Sequence, residues 1–345
     1  MSESFDTYAH GVMSGQNRSP AAVALRGITR LIEPFYATTM RVRNALYDRE
    51  LFRSHRLSRP VISMGNITTG GTGKTPIVCW IASELIKAGY HPTVLMRGYK
   101  ATAKGISDEA SLMQNIVHVV PSRDRVAGAS QALRQKPDID VFILDDAFQH
   151  RRVERDLNLV LIDATSPFGF GHVLPRGMLR EPLSGLRRAD AVLVTRANQV
   201  SKERLIEISA SLVKVIGDTT VLQASFALID DEIRGKKAFV FCGIGNPRAF
   251  LEQVRLSTNV TGSRFFPDHH DYSMSGLDEV QTLAQSSGAQ ILVTTRKDWV
   301  KIINIQGCEG LPIVAVDQRV EMSEKDSERL LSWVKSIIVP IARGE

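Results

Sequence analysis

Lys74 and Thr75 follow Gly70, Gly71 and Gly73, and a cation and a hydroxyl at that spacing can hold a polyphosphate and its metal. The stretch around them, Val61-Ile-Ser-Met-Gly-Asn-Ile-Thr-Thr-Gly-Gly-Thr-Gly-Lys-Thr75, starts with β-favouring residues and ends at Pro76 and an apolar run. That order reads as strand, phosphate-binding loop, then a helix over about Pro76 to Lys87. In such a loop Thr69, Gly70, Gly71, Thr72 and Gly73 turn backbone N–H groups inward, and the helix N-terminus adds partial positive charge. Lys74 would reach the β- and γ-phosphates, and the Thr75 hydroxyl would ligate Mg²⁺. The strict motif has glycine where this chain has Thr68. A flexible Gly/Thr turn is the plainer alternative, and the flanking strand and helix favour a bound nucleotide.

Asp145 and Asp146 close the apolar run Val141-Phe-Ile-Leu144. A carboxylate there, downstream of a phosphate loop, can hold Mg²⁺ or its waters; which of the pair does so is open at this stage. The segment from Phe168 to Pro182 is rich in glycine and proline and carries Arg176, Arg180 and Glu181. Arginine can grip phosphate bidentately and stabilise charge on a transferring phosphoryl group. Asp108 and Glu109, and the run Asp268-His-His-Asp-Tyr272, offer groups that could take a hydroxyl proton. Each is weak alone, since acidic pairs are usually solvated. The His269–His270 pair has no third metal ligand at a suitable spacing. Thr195-Arg-Ala-Asn198 and Thr295-Arg-Lys-Asp298 each follow a strand and could lie near a base or simply end the strand.

Elements that must carry these residues can be placed by pattern. Short Val/Ile/Leu runs alternate with helical stretches at 91–96, 116–120, 141–146, 157–163 and 191–195, which predicts a parallel sheet covered on both faces. Ligands of such sheets sit beyond the carboxyl ends of the strands, where Gly70, Arg97, Asp145 and Thr195 would lie. A polar stretch after Ile229 marks the crossing into a smaller α/β domain, with strands at 238–242, 263–266, 291–295 and 313–316. A terminal helix over 323–339 would be capped by Ser323. The domain division expected is a flexible arm over 1–19, a P-loop domain over 20–222, and a smaller α/β domain over 223–345 closing over the site.

From Pro20, apolar residues recur at three- and four-residue steps through Tyr36, interleaved with Arg26 and Arg30. Pro34 should kink or restart this helix, with a second piece through Leu51. Such a face either packs on the domain, which is the commoner fate, or lies in a membrane interface.

The 345 residues are 43% hydrophobic and 23% charged with net charge +6, so the chain is ordinary folded protein with room for two cores and a preference for anionic partners. No aromatic–basic run suits stacking on single strands, so no nucleic-acid partner is expected. No obligate protein partner is evident. Cys79, Cys242 and Cys308 lack paired spacing and read as reduced thiols. No uncharged segment reaches the roughly 20 residues of a membrane span.

Taken together, these motifs resemble the tetraacyldisaccharide 4′-kinases, the lipid A 4′-kinases of Gram-negative bacteria. The likeness rests on Gly65-Asn66 with Thr69 to Thr75, Arg97-Gly-Tyr99, Asp145-Asp-Ala-Phe-Gln-His150, Leu174-Pro-Arg-Gly-Met-Leu-Arg-Glu-Pro182, Asp268-His269 and Thr295-Arg-Lys-Asp298. It implies transfer of the ATP γ-phosphate to the 4′-hydroxyl of an acylated disaccharide 1-phosphate lipid, with Mg²⁺, on the cytoplasmic face of the bacterial inner membrane. Lys74 and Thr75 would grip phosphate and metal, Asp145 and Asp146 would serve the metal, and Arg180 and Glu181 would line the reacting phosphates. Asp108 would act as base with His269 as its partner. The family's Arg-Gly-Tyr-Gly is here followed by Lys100, and its Gly-Asp-Glu-Pro appears as Ser107-Asp-Glu-Ala110. With a lipid acceptor, the stretch from Ala21 to Tyr36 is expected to touch lipid, with Arg26, Arg30 and Arg41 facing headgroups. The alternative is a partner-regulated P-loop ATPase or GTPase switch of the partitioning or metallochaperone type, which usually carries lysine where this chain has Thr69.

Overall fold

Apolar residues dominate both faces of the runs at 92–96, 141–144, 157–163 and 191–195, so both faces of these strands need covering. The computed structural model, which describes residues 5–98, 108–217, 219–229, 231–268 and 270–338, lays them side by side in parallel. In chain order the first unit runs α1 (Phe5–Ser14), α2 (Pro20–Asp48), β1 (Val61–Asn66), α3 (Lys74–Lys87), β2 (Pro92–Met96) and α4 (Asp108–Gln114). It continues with β3 (His118–Pro121), α5 (Arg125–Gln135), β4 (Val141–Leu144), β5 (Leu157–Asp163), β6 (Ala191–Thr195), α6 (Lys202–Ile216) and β7 (Thr220–Gln223). The sheet order is β3-β2-β4-β1-β5-β6-β7, with every described pair parallel. β1 lies between β4 and β5, so its loop opens where successive connections leave in opposite directions, the position at which open α/β sheets bind ligands.

The second unit spans Phe226–Glu321. It is built on β8 (Ser225–Ile229), β9 (Lys237–Cys242), α7 (Pro247–Ser257), β10 (Asn259–Phe265), α8 (Met274–Ser286), β11 (Ile291–Thr295), α9 (Arg296–Ile302) and β12 (Ile313–Glu321). Its sheet order is β10-β9-β11-β12-β8. The terminal helix α10 (Glu324–Ser336), capped by Ser323 as expected, returns to the first unit. There Asp326 accepts from the Gln223 amide (3.2 Å) and Arg329 donates to Thr220 Oγ1 (2.9 Å). The second unit therefore begins near the expected boundary but ends at Glu321 and does not run to the C-terminus.

Three expectations for the N-terminal region fail. Residues 5–14 form a helix, not a loose arm, and it is tied down. Val12 is buried, His10 sits edge-on to Phe170, and Arg176 Nη1 donates to the Met13 carbonyl (2.9 Å). Arg26 turns inward to the Asn17 carbonyl (2.6 Å), so it braces the α1–α2 turn and does not face headgroups. Nor does Pro34 restart α2, which runs unbroken for 29 residues from its Ser19 cap. Gly27 and Pro34 inside this helix cost about 1 and 3 kcal/mol relative to alanine, so contacts on its packed face must hold it. Glu33 and Tyr36, on either side of Pro34, supply two of them.

The opposite face of α2 is bare. Ile28 (56%), Leu31 (74%), Phe35 (76%) and Val42 (53%) are exposed. They recur at three-, four- and seven-residue steps and so share one stripe. No described helix is long and apolar enough to cross a membrane.

Candidate active site

Glycine is required at two points of the loop between β1 and α3. Gly70 (φ +112°) and Gly73 (φ +80°) take backbone conformations that side chains rarely adopt, and Gly73 leads directly into α3. Thr68, standing where the strict motif has glycine, needs no such freedom. It pairs in an antiparallel bridge with Leu179, flanked by hydrogen bonds from Thr69 N to Met178 O and from Arg180 N to Ile67 O, both 2.7 Å. The phosphate loop and the Leu174–Pro182 loop are thus one hydrogen-bonded body, and an extended threonine belongs in it.

Side chains brace the same loop from within. The fully buried Asn66 donates to the Thr68 carbonyl (2.8 Å) and accepts from Lys74 Nζ (3.2 Å). Thr195, at the end of β6, donates to the Thr72 carbonyl (2.8 Å). Thr72 itself is buried, so it serves the loop through its backbone. A Cβ on Gly65 would lie 2.5 Å from the Phe148 nitrogen. Gly65→Ala must therefore push β1 and the Asp145–His150 loop apart. A loss of about 1–3 kcal/mol is expected from such overpacking, read by denaturant unfolding.

Lys74 and Arg180 converge on Asp146. Arg180 Nη1 lies 2.8 and 3.0 Å from its two carboxylate oxygens, and Lys74 Nζ lies 3.3 Å away. Asp146 is held with φ +49°, a strained conformation of the kind that clusters at functional sites. Burial pushes its carboxyl up, but Lys74 and then Arg180 outweigh this and hold it below the ordinary carboxylate value. The pair of cations and the carboxylate stand at the mouth of a loop shaped for phosphate. Asp145 is buried, and the guanidinium of Arg125, also buried, donates to its carbonyl (3.3 Å). Thr75 lies in the first turn of α3. Hydroxyl and carboxylate oxygens are the hard donors Mg²⁺ prefers, and one or two protein carboxylates beside substrate phosphates suffice for it, so the residues present fit this ion.

Glu181 departs from its expected place. It is fully buried and does not face the phosphate loop. Arg188 Nη2 (2.9 and 2.8 Å), Asn44 Nδ2 (2.8 Å) and Gln149 Nε2 (3.1 Å) all donate to its carboxylate. Gln149 also donates to the Asn66 carbonyl (3.0 Å). A carboxylate buried among three donors is a clamp joining α2, the Asp145–His150 loop and the Leu183–Arg188 turn. Asn44 and Gln149 carry no sequence signal that would single them out for this clamp, because their partner lies 137 and 32 residues away in the chain.

Other expectations resolve as follows. Arg97 follows β2 at the carboxyl edge of the sheet, as expected. His150 stays neutral near physiological pH, since burial and then the surrounding Arg125 and Arg155 push it down to about 4. Burial, reinforced by Asp145, pushes the Cys79 thiol up to about 12, so it is no nucleophile. Cys242 and Cys308 are buried free thiols. In the second unit Asp298 is fully buried, accepting from the Gly243 amide (3.1 Å) and the Thr295 hydroxyl (2.7 Å), so it faces the interior and not a nucleotide base. Arg196 pairs with Asp163 inside the first unit. Asp108 opens α4 with its side chain outside the described residues, and His269 lies outside them altogether.

Known proteins resemble this chain over most of its length. A family model described as tetraacyldisaccharide-1-P 4′-kinase matches residues 26–337. The tetraacyldisaccharide 4′-kinase of Pelobacter propionicus is 36% identical over 333 residues, covering 89% of this chain and 91% of that protein. That of Syntrophus aciditrophicus is 35% identical over 360 residues, covering 93% and 95%. Among solved structures, LpxK from Aquifex aeolicus in complex with ATP superposes with a TM-score of 0.67 at 29% identity, covering 91% of this chain and 100% of that one.

Proposed function

The chain belongs to the tetraacyldisaccharide-1-P 4′-kinase family, and from that premise we propose how its site performs the transfer. It is an ATP-dependent kinase of lipid A biosynthesis. The γ-phosphate of ATP passes to the 4′-hydroxyl of a tetra-acylated glucosamine disaccharide 1-phosphate. The observation that carries this reading is the convergence of Lys74 and Arg180 on Asp146 beside the phosphate loop. Backbone N–H groups of Gly70 to Gly73 cradle the phosphates, and Lys74 and Arg180 meet the charge that builds on the γ-phosphoryl oxygens. Thr75 and Asp145 would hold Mg²⁺, which would supply positive charge against the gathered phosphates, while Asp146 keeps the two cations aimed. Label from γ-labelled ATP should appear in the acylated lipid; hydrolysis that ignores the acceptor and yields no labelled lipid would instead support a switch ATPase.

Asp108 takes the proton from the acceptor hydroxyl. Asp108→Ala should lower turnover by orders of magnitude while ATP still binds, as general-base loss typically costs about 10²–10⁴-fold. Near-normal turnover would remove Asp108 from the mechanism.

The enzyme sits on the cytoplasmic surface of the inner membrane through the bare stripe of α2. Ile28, Leu31 and Phe35 enter the acyl region, with the exposed Arg30 and Arg41 at anionic headgroups. Burying one such side chain is worth about 1.5–3 kcal/mol, so Leu31→Asp or Phe35→Asp should weaken vesicle binding by about tenfold or more. Unchanged co-sedimentation of both variants would contradict the membrane role.

A further inference from the structure

The stripe of α2 that meets lipid in the reading above lies back to back with the contacts that hold the active-site loops. On its packed face the Tyr36 hydroxyl donates to the carbonyl of Arg180 itself (2.9 Å). Arg43 Nη2 donates to the Gln149 carbonyl (2.7 Å), within the loop that begins at Asp145. Asn44 donates to Glu181 (2.8 Å), the residue after Arg180. Glu33 accepts from the Val173 amide (3.1 Å) at the other end of the same loop. In return Arg151 Nη1 donates to the Asn44 carbonyl (2.9 Å) and Nη2 pairs with Asp48 (2.7 Å). One helix thus fastens both segments that deliver Asp146 and Arg180.

That same helix is intrinsically weak where its apolar stripe is most exposed. Gly27 adds backbone freedom, and Pro34 removes the hydrogen bond its own N–H would have made to the Arg30 carbonyl. A lipid surface that buries Ile28, Leu31 and Phe35 favours the fully helical form, because anything that binds the ordered state preferentially stabilises it. The ordered form is the one in which Glu33, Tyr36, Arg43 and Asn44 stand in register to hold the two loops.

We propose that α2 is a positioning element for phosphoryl transfer, with Tyr36, Arg43 and Asn44 coupling the seating of the enzyme on lipid to the order of the loops that carry Asp145, Asp146 and Arg180. This rests on the membrane reading of α2 and goes beyond it. Linkage makes the effect reciprocal: lipid tightens ATP binding, and ATP tightens lipid binding by the same factor. An enzyme built this way holds its nucleotide site fully ordered only at the surface where its acceptor is found.

The test uses the full-length protein and a fluorescent ATP analogue, titrated with and without vesicles of phosphatidylethanolamine and phosphatidylglycerol. Vesicles should tighten nucleotide binding by about fivefold or more, the low end of typical couplings. Asn44→Ala and, as the milder change, Tyr36→Phe should bind vesicles like the unaltered enzyme yet lose most of that tightening. A merely structural role would lower melting temperature without separating these two readouts. Vesicle binding with no change in nucleotide affinity would overturn the coupling and leave the membrane reading intact. Failure to bind vesicles at all would overturn both. Full tightening in both variants would remove Asn44 and Tyr36 from the path and sink the assignment.

Discussion

Arg180→Ala is expected to lower turnover about 10³-fold at saturating ATP and lipid, the lower bound for arginines that meet charge on a transferring phosphoryl group. The side chain can be removed without dislodging the loop. Arg180 is fixed by its backbone, through the hydrogen bond to Ile67 and the one accepted from Tyr36, and these remain in the variant. Melting temperature should therefore move little, and Asp146 should still be held by Lys74. Arg180→Lys restores a point charge but not the fork that spans two oxygens, so it should recover only part of the loss. Turnover within a few fold of normal in the alanine variant would show that the guanidinium does not meet the reacting phosphate.

Glu181→Ala should fail in the opposite way, through stability. Removing one partner of a buried ion pair leaves the other charge uncompensated, at a cost of about 3–5 kcal/mol. Here Arg188 would be stranded against the ring of Phe148, which its guanidinium covers at 4.7 Å, and Asn44 and Gln149 would each lose an acceptor. Denaturant unfolding reads this directly. A Glu181→Ala protein that unfolds like the unaltered chain but has lost turnover would return Glu181 to the phosphate side of the site.

These neighbours in sequence show what the chain discloses by itself and what it withholds. Arg180 was singled out because arginine on a glycine- and proline-rich loop suits phosphate, and the structure sets its guanidinium on Asp146 beside the phosphate loop. Glu181 was misread for the same reason. Of its partners Arg188 is a near neighbour in the chain, but Asn44 and Gln149 come from distant segments, and only the folded chain brings all three to one carboxylate. The parallel sheet was readable from continuous apolar runs, since burial on both faces leaves no other pattern. β10 was read as starting four residues late, because the edge strand begins with the polar, partly exposed Asn259 to Gly262 and shows little periodicity. Pro34 was expected to kink or restart the helix because propensity argues against proline inside one. The contacts of Glu33 and Tyr36 on either side carry the helix through it. Thr68 is the converse case, a departure from a motif that becomes intelligible only once its bridge to Leu179 is seen.

The account stands or falls on where the phosphate goes. The most direct measurement is phosphorus–proton correlation NMR of the lipid recovered after incubating the enzyme with ATP, Mg²⁺ and the tetra-acylated disaccharide 1-phosphate. One new phosphomonoester correlated with the 4′ proton is the expected result. Inorganic phosphate alone, or a phosphate on any other hydroxyl, would contradict it.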